Sequence, residues 1–434
     1  MTQETAEGIH VDKTRTPRIK LALAVLAVSA IMLQACTSTN ASPSGSASTP
    51  PSASEMPSES QVAHGEPILI GGVWPVTGGL ALLGSYQLHG ATLAVEEINA
   101  AGGISCLDNR PLELIVGDTQ GDPEVGGQES ERVMDDGAVA LIGALQSAVT
   151  FITTQNAARR GIPHIVDEGI SDSITDRGFD NIFRITGSTR LVANKLTDIL
   201  ANDLDPAVGT IVIMNEDSLF GSSVGDIFLE ELEGSGVEVL ERIPYTASSS
   251  DLTTQIARVK EVNPDALVHV GYLTDGTLIA RQAREQQLES SLIGLVSGGF
   301  SHPNFVKDLG PLANGVIDLN WGVSPNAANS AALAERYVAT YPEDGWNHHA
   351  LNSYVAVQVL ADALERGCST DGADLIAALK ETNFSDHALG QPDPIQFDAK
   401  GENINAQPLL FQIQDEKIAI VGPPDYATDD LQWP

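Results

Sequence analysis

The sequence predicts an α/β protein built as two doubly wound lobes in series with a ligand cleft between them. Three observations carry that expectation. From residue 67 onward, short apolar runs alternate with segments whose apolar residues recur at helical spacing, the pattern of parallel strands covered by helices on both faces. A further apolar run at 181–186 interrupts the alternation midway and reads as a strand crossing between two halves, since one sheet of so many strands would be large. The last third departs from the alternation, with three helices followed by short strands, so the chain crosses between lobes more than once and leaves a hinged cleft.

Taken in order, 68–73 is an apolar run long enough for a buried strand, 75–79 is a Pro/Gly loop, and 85–101 carries Leu88, Ala91, Val95 and Ile98 on one helical face. Gly102-Gly103 ends that helix. Strand 112–116, helix 123–135, strand 139–142, helix 149–160 and strand 164–166 follow. The second half repeats the theme with strands 210–214, 238–243, 266–270 and 292–295 and helices 220–233, 252–262 and 276–287. Strand 315–319 then precedes helices 327–341, 349–366 and 372–380, and strands 394–397, 409–413 and 417–421 close the chain, the last two joined by a hairpin-length link.

The N-terminal part is not expected to belong to this body. Lys13, Arg15, Arg18 and Lys20 precede the 13-residue apolar run LALAVLAVSAIML, which is too short for a bilayer-spanning helix and fits the core of a signal peptide. It ends in Leu33-Gln34-Ala35-Cys36, which resembles a bacterial lipobox and implies a lipidated Cys36 as the mature N-terminus; an ordinary secretory signal with an incidental cysteine is the alternative. Residues 1–35 are thus the expected signal peptide. Residues 36–66 are the expected tether: 37–66 hold nine Ser and four Pro, cannot bury enough surface to order themselves, and reach about 30 Å as a coil.

Composition excludes some functions. The 434 residues carry a formal net charge of -35 with no basic stripe, which a nucleic-acid backbone or an anionic membrane surface would repel. Catalytic patterns are missing: there is no Gly-x-Ser-x-Gly elbow and no phosphate loop. His348-His349 are adjacent rather than at metal-ligand spacing, with no third ligand in view, and Asp118–Asp122 lacks the rest of a calcium loop. No enzyme activity, metal or cofactor is therefore expected.

Several segments together, in order, resemble the periplasmic leucine/isoleucine/valine-binding protein family, type I solute-binding proteins of ABC importers. They are GGVWPVTGGLALLGSYQLHGATLAVEEINAAGG (71–103), DTQGDPEV (118–125), LIGALQSAVT (141–150), FRITG (183–187), residues 211–221 and YLTDGTLIARQAR (272–284). The resemblance implies two α/β lobes joined by three crossovers, with 67–186 plus 316–398 as lobe one and 187–315 plus 399–434 as lobe two. It implies capture of a small amino acid or similar solute and partnership with ABC permease and ATPase subunits; the chain is expected to be monomeric. A sensory subunit that reports to a membrane receptor without transport is the alternative.

The resemblance also assigns site residues. Ser147 matches the serine that grips the ligand carboxylate, and would equally serve as a helix N-cap. The second carboxylate-binding loop reads Asp167-Glu168-Gly169-Ile170-Ser171, in which Gly169 offers an N–H and Ser171 a hydroxyl, while Glu168 and Ile170 depart from the family's small residues. Phe220 and Tyr272 match aromatic residues packed over the ligand, with a core anchor the alternative for Phe220. The acidic partner of the ligand ammonium falls at Val296, so Asp275 is the substitute, with a helix N-cap as its other reading. Leu83 matches a loop position touching the ligand side chain. Finally, an exported chain lives where disulfides persist, and the topology puts Cys106 and Cys368 in one lobe; a bridge between them is expected, two separate buried thiols being the alternative.

Overall fold

A computed structural model describes residues 65–433 apart from 248, 297 and 298. The expected signal peptide, Cys36 and nearly all of the tether lie outside the described residues. Lobe one begins β1 (Ile68–Trp74), α1 (Ala81–Ala100), β2 (Leu112–Asp118), α2 (Pro123–Asp135), β3 (Leu141–Gly143), α3 (Ser147–Arg160), β4 (His164–Val166) and β5 (Ile182–Arg184). Its five strands are parallel in the order β2-β1-β3-β4-β5. The pleat sends alternate residues to opposite faces: Ile68, Ile70 and Ile142 join the core under α1, while Val73 and Leu141 pack with Val133 of α2 and Val149 of α3.

The chain crosses to lobe two for α4 (Thr189–Asp198), β6 (Thr210–Glu216), α5 (Leu219–Leu232), β7 (Glu238–Tyr245), α6 (Thr253–Val262), β8 (Ala266–Val270), α7 (Leu273–Glu285), β9 (Ser291–Leu295), α8 (Pro303–Leu309) and β10 (Ile317–Asn320). It returns to lobe one for α9 (Ser330–Thr340), α10 (His348–Gly367) and α11 (Gly372–Lys380), then ends in lobe two with β11 (Leu409–Gln414) and β12 (Lys417–Gly422). The second sheet has the order β12-β11-β10-β9-β8-β6-β7, parallel except for the antiparallel β10-β11-β12 edge.

Two expected boundaries move. β10 pairs in register with β9, Ile317 opposite Ile293, so the second crossover follows residue 320 rather than preceding 316. The third also comes later than 398. Arg184 donates its N–H to the Gly401 carbonyl and accepts from the Asn403 N–H, so 401–403 line the edge of β5 in lobe one. The expected strand at 394–397 makes only isolated bridges, Ile395 to Phe384 and Phe397 to Asn403, because its neighbours are loops rather than a sheet edge. Helices α4 and α8 were not foreseen; α4 covers a face of the second sheet and α8 packs beside α7.

Helix α10 is the central column of lobe one, buried along most of its 20 residues. It lies against α1, and a Cβ added to Gly90 would stand 1.9 Å from the Ala350 carbonyl oxygen, so only glycine admits this approach. The expected bridge is present: Cys106 and Cys368 are disulfide-bonded with Cα atoms 5.4 Å apart, tying the turn after α1 to the C-terminus of α10.

Candidate solute site between the lobes

The strand ends and helix starts of both lobes meet at a cavity of about 30 Å³. Leu145, Ser147, Glu168, Ile170, His348 and His349 line it from lobe one, and Phe220, Tyr272, Val296 and Asn320 from lobe two. Ligands of open α/β sheets sit beyond the carboxyl ends of the strands, as here.

In lobe one the loop after β4 is held from behind. Asp167 is fully buried and accepts from Trp74 Nε1 at 2.9 Å, Gln87 Nε2 at 3.2 Å and Ser353 Oγ at 2.5 Å. Burial pushes its carboxyl up to about 7. Arg184, also fully buried, pairs with Glu402 and donates from Nη1 to the carbonyls of Gly169 at 2.8 Å and Ser171 at 3.1 Å. The loop is thus clamped by a buried cation whose partner comes from 218 positions away.

Of the expected site residues, Ser147, Phe220 and Tyr272 stand at the cavity. Ser147 is the first residue of α3, and its Oγ accepts the Ser171 N–H at 3.3 Å. The Phe220 and Tyr272 rings pack with centroids 5.3 Å apart. Burial, followed by the nearby Glu216 and Asp275, holds the Tyr272 hydroxyl well above its ordinary range, so it is neutral.

The remaining residues are engaged elsewhere. The Gly169 N–H donates to the Ala144 carbonyl at 3.2 Å and is not offered to a ligand. The Ser171 hydroxyl is bonded to Ser173 Oγ at 2.9 Å, outside the lining. Leu83 is 2% exposed in the core of lobe one, drawn in because it lies on the inner face of α1. Asp275 is a cap: it accepts the Tyr272 N–H at 2.9 Å and also binds the Tyr245 hydroxyl, with His269 Nε2 3.6 Å away. A carboxylate so occupied faces its own helix rather than a ligand.

Three residues at the cavity carried little sequence signal. His348 and His349 open α10 directly after its N-cap Asn347, and the fold supplies the third group that their spacing concealed. Glu168 Oε1 bonds His349 Nδ1 at 2.9 Å and Asn352 Nδ2 at 3.0 Å. A ligand atom of each of Glu168, His348 and His349 lies within 4.8 Å of the other two, and all three residues are buried. Burial holds His348 well below the ordinary imidazole value, and so neutral. Its position at the start of a helix, beside a loop known to depart from pattern at Glu168, was the available hint. Asn320 at the end of β10 went unseen; its amide is spent on Asp318, Ser301 and the Trp321 N–H.

Four helices begin at this cavity, and three carry their own cap. Glu216 accepts the Ser218 and Gly221 N–H groups at 2.7 Å at the start of α5, Asp275 serves α7, and Asn347 Oδ1 accepts the Ala350 N–H on α10. The N-cap of α3, Gln146, makes no such bond and turns its amide to the Gly121 carbonyl at 2.9 Å.

Comparison with known proteins agrees with this architecture. The chain is 26% identical over 379 residues to a Leu/Ile/Val-binding protein homolog 8 of Brucella abortus (strain 2308), covering 84% of this chain and 93% of that one. The fold matches the leucine binding protein LivK of Thermotoga maritima with a TM-score of 0.73 at 20% identity, over 82% of this chain and 99% of that one. It matches an ABC transporter solute binding protein of R. palustris in complex with benzoate with a TM-score of 0.72 at 18% identity, over 82% and 96%. Among the described residues no helix is long and apolar enough to cross a membrane. The family profile described as periplasmic binding protein matches residues 67–417, and the chain accordingly belongs to the type I periplasmic binding protein family.

Proposed function

We propose that this protein is the solute-receiving component of an ABC importer, not an enzyme, and that its lobes close on one small carboxylate-bearing solute, an amino acid or a relative of one. The observation that carries the reading is the uncapped N-terminus of α3 at a cavity where every other helix start is already capped. The first N–H groups of a helix need an acceptor, and the helix dipole favours a negative one. The Ser147 hydroxyl adds a donor at the same place. Phe220, Tyr272 and Val296 form the opposing apolar wall for the rest of the solute. Glu168 lines the same wall in lobe one, with its Oε1 held by His349 and Asn352. A lipid on Cys36 would hold the body at the outer face of the cell membrane, within reach of permease and ATPase partners.

Thermal-shift screening of amino acids, their amides and small aromatic acids tests the reading, because a ligand selective for the native state raises the midpoint. At least one carboxylate is expected to do so, and Ser147→Ala to weaken it by about 1–2 kcal/mol. A panel in which amides bind as well as their acids would remove the α3 site. For the anchor, wild type should enter the detergent phase and Cys36→Ala should not; two aqueous proteins would refute lipidation. Loss of solute uptake on gene deletion separates transport from sensing.

A further inference from the structure

We propose that Glu168, His348 and His349 form a binding site for a divalent transition-metal ion of the zinc class on the lobe-one wall of the cavity. The inference goes beyond the importer reading and does not rest on it, since all three residues belong to lobe one and no solute is needed to assemble them.

Two imidazoles and a carboxylate are a donor set that zinc-class ions take, and with three protein ligands a coordination position stays open toward the cavity. Zinc holds N and O ligands at roughly 2.0–2.2 Å, which sets ligand-to-ligand edges of about 3.4 Å. The three donor atoms already lie within 4.8 Å of one another, a spread that modest side-chain rotation closes. His349 Nδ1 faces Glu168 Oε1 at 2.9 Å, so an ion would sit between these two donors in place of the proton they share. The carboxylate is braced by Asn352 Nδ2 at 3.0 Å, as outer-shell partners brace metal ligands. The His349 side chain is only 3% exposed, which shields the place from water.

The open position gives the site a use. A solute with neighbouring carboxylate and amino or hydroxyl groups would add its oxygen or nitrogen to the ion, which would make metal-chelating acids the best ligands.

The test is equilibrium dialysis of the tag-free protein against Zn²⁺ and Co²⁺, after chelator treatment and with excess Mg²⁺ to compete for the acidic surface. We expect one tightly held equivalent, with the visible ligand-field bands of low-coordinate Co²⁺. Affinity should fall more than about 100-fold in His348→Asn and in His349→Asn, and about 10–100-fold in Glu168→Gln. Folding of each variant is checked by circular dichroism. Should a variant fail to fold, anomalous diffraction from Co²⁺-soaked wild-type crystals decides, with the peak expected between the three side chains. A folded wild type that holds no equivalent, binding undiminished by the histidine substitutions, or a peak elsewhere would overturn the site. Solute screening of the chelator-treated protein reads the importer function without any metal, so failure here leaves the importer reading standing.

Discussion

Tyr272 stands at the end of a strand and the start of a helix, where its ring packs on Phe220 and faces the cavity. Tyr272→Ala should weaken solute binding by roughly 1–3 kcal/mol, the range for losing a buried apolar surface; unchanged affinity in calorimetry would take the residue out of the site. Asp275, three positions on, is expected to behave differently. Because its carboxylate caps α7 and binds Tyr245, Asp275→Asn should lower the thermal midpoint while affecting charged and amide solutes equally. A selective loss of charged ligands would reinstate it as a ligand partner. His164 offers a pH test away from the cavity lining. It lies fully buried on β4, its Nε2–H donating to the Gly143 carbonyl at 3.0 Å, and burial, helped by Arg177, lowers its pKa to about 4. In the unfolded chain it takes a proton near 6.5. The unfolded state therefore binds more protons between these values, and stability falls as pH drops from about 6.5 to 4, by on the order of 3 kcal/mol. Denaturation of His164→Gln across that window should show a shallower slope; an equal slope would assign the acid limb elsewhere.

At the scale of elements, the site depends on the approach of α1 to α10. Gly90 lets the two helices touch at Ala350, in the first turn of α10 beside His348 and His349. Gly90→Ala would drive a methyl into the Ala350 carbonyl. The expected cost is about 1–3 kcal/mol from overpacking, accompanied by weaker solute binding because the displaced helix moves its N-terminus. A urea series showing wild-type stability would mean that α10 shifts freely. The loop after β4 shows the same dependence on a neighbour. Its place after strand 164–166 came from the resemblance, but its clamp, Arg184 with Glu402, joins segments 218 positions apart and follows no local rule.

For the whole molecule, the lobes are in contact. Asn304 Nδ2 of lobe two donates to Tyr86 Oη of lobe one at 3.1 Å, and the Tyr86 ring stacks on His302. The cavity lies between lobes held together in this way, so a solute enters it when they part. The disulfide acts at a distance from this motion. Cys368 caps the C-terminus of α10, about 30 Å along the helix from His348. In the chain-entropy view, closing a loop of 262 positions stabilises by up to about 5 kcal/mol. Replacing Cys106 and Cys368 by Ser should therefore lower the denaturation midpoint markedly and leave solute affinity near wild type. A large loss of affinity at unchanged stability would tie the bridge to the cleft instead.

What the sequence determined by itself was largely local in origin: the alternation of apolar runs and helical faces, the glycines that end helices, and an order of segments specific enough to place the fold, Ser147 and the aromatic wall. The first two depend on spacing within a few tens of residues; the last rests on a resemblance that runs in order along the whole body. The tertiary structure decided the rest, because it depends on which distant groups share a buried volume. Glu168 looked like a misfit in a carboxylate-binding loop until α10, 181 positions away, brought His349 against it. Asp275 looked like a ligand partner until the Tyr272 N–H and the Tyr245 hydroxyl were found to occupy it. A buried polar group must find a partner wherever the fold supplies one, and sequence spacing says nothing about which partner that is.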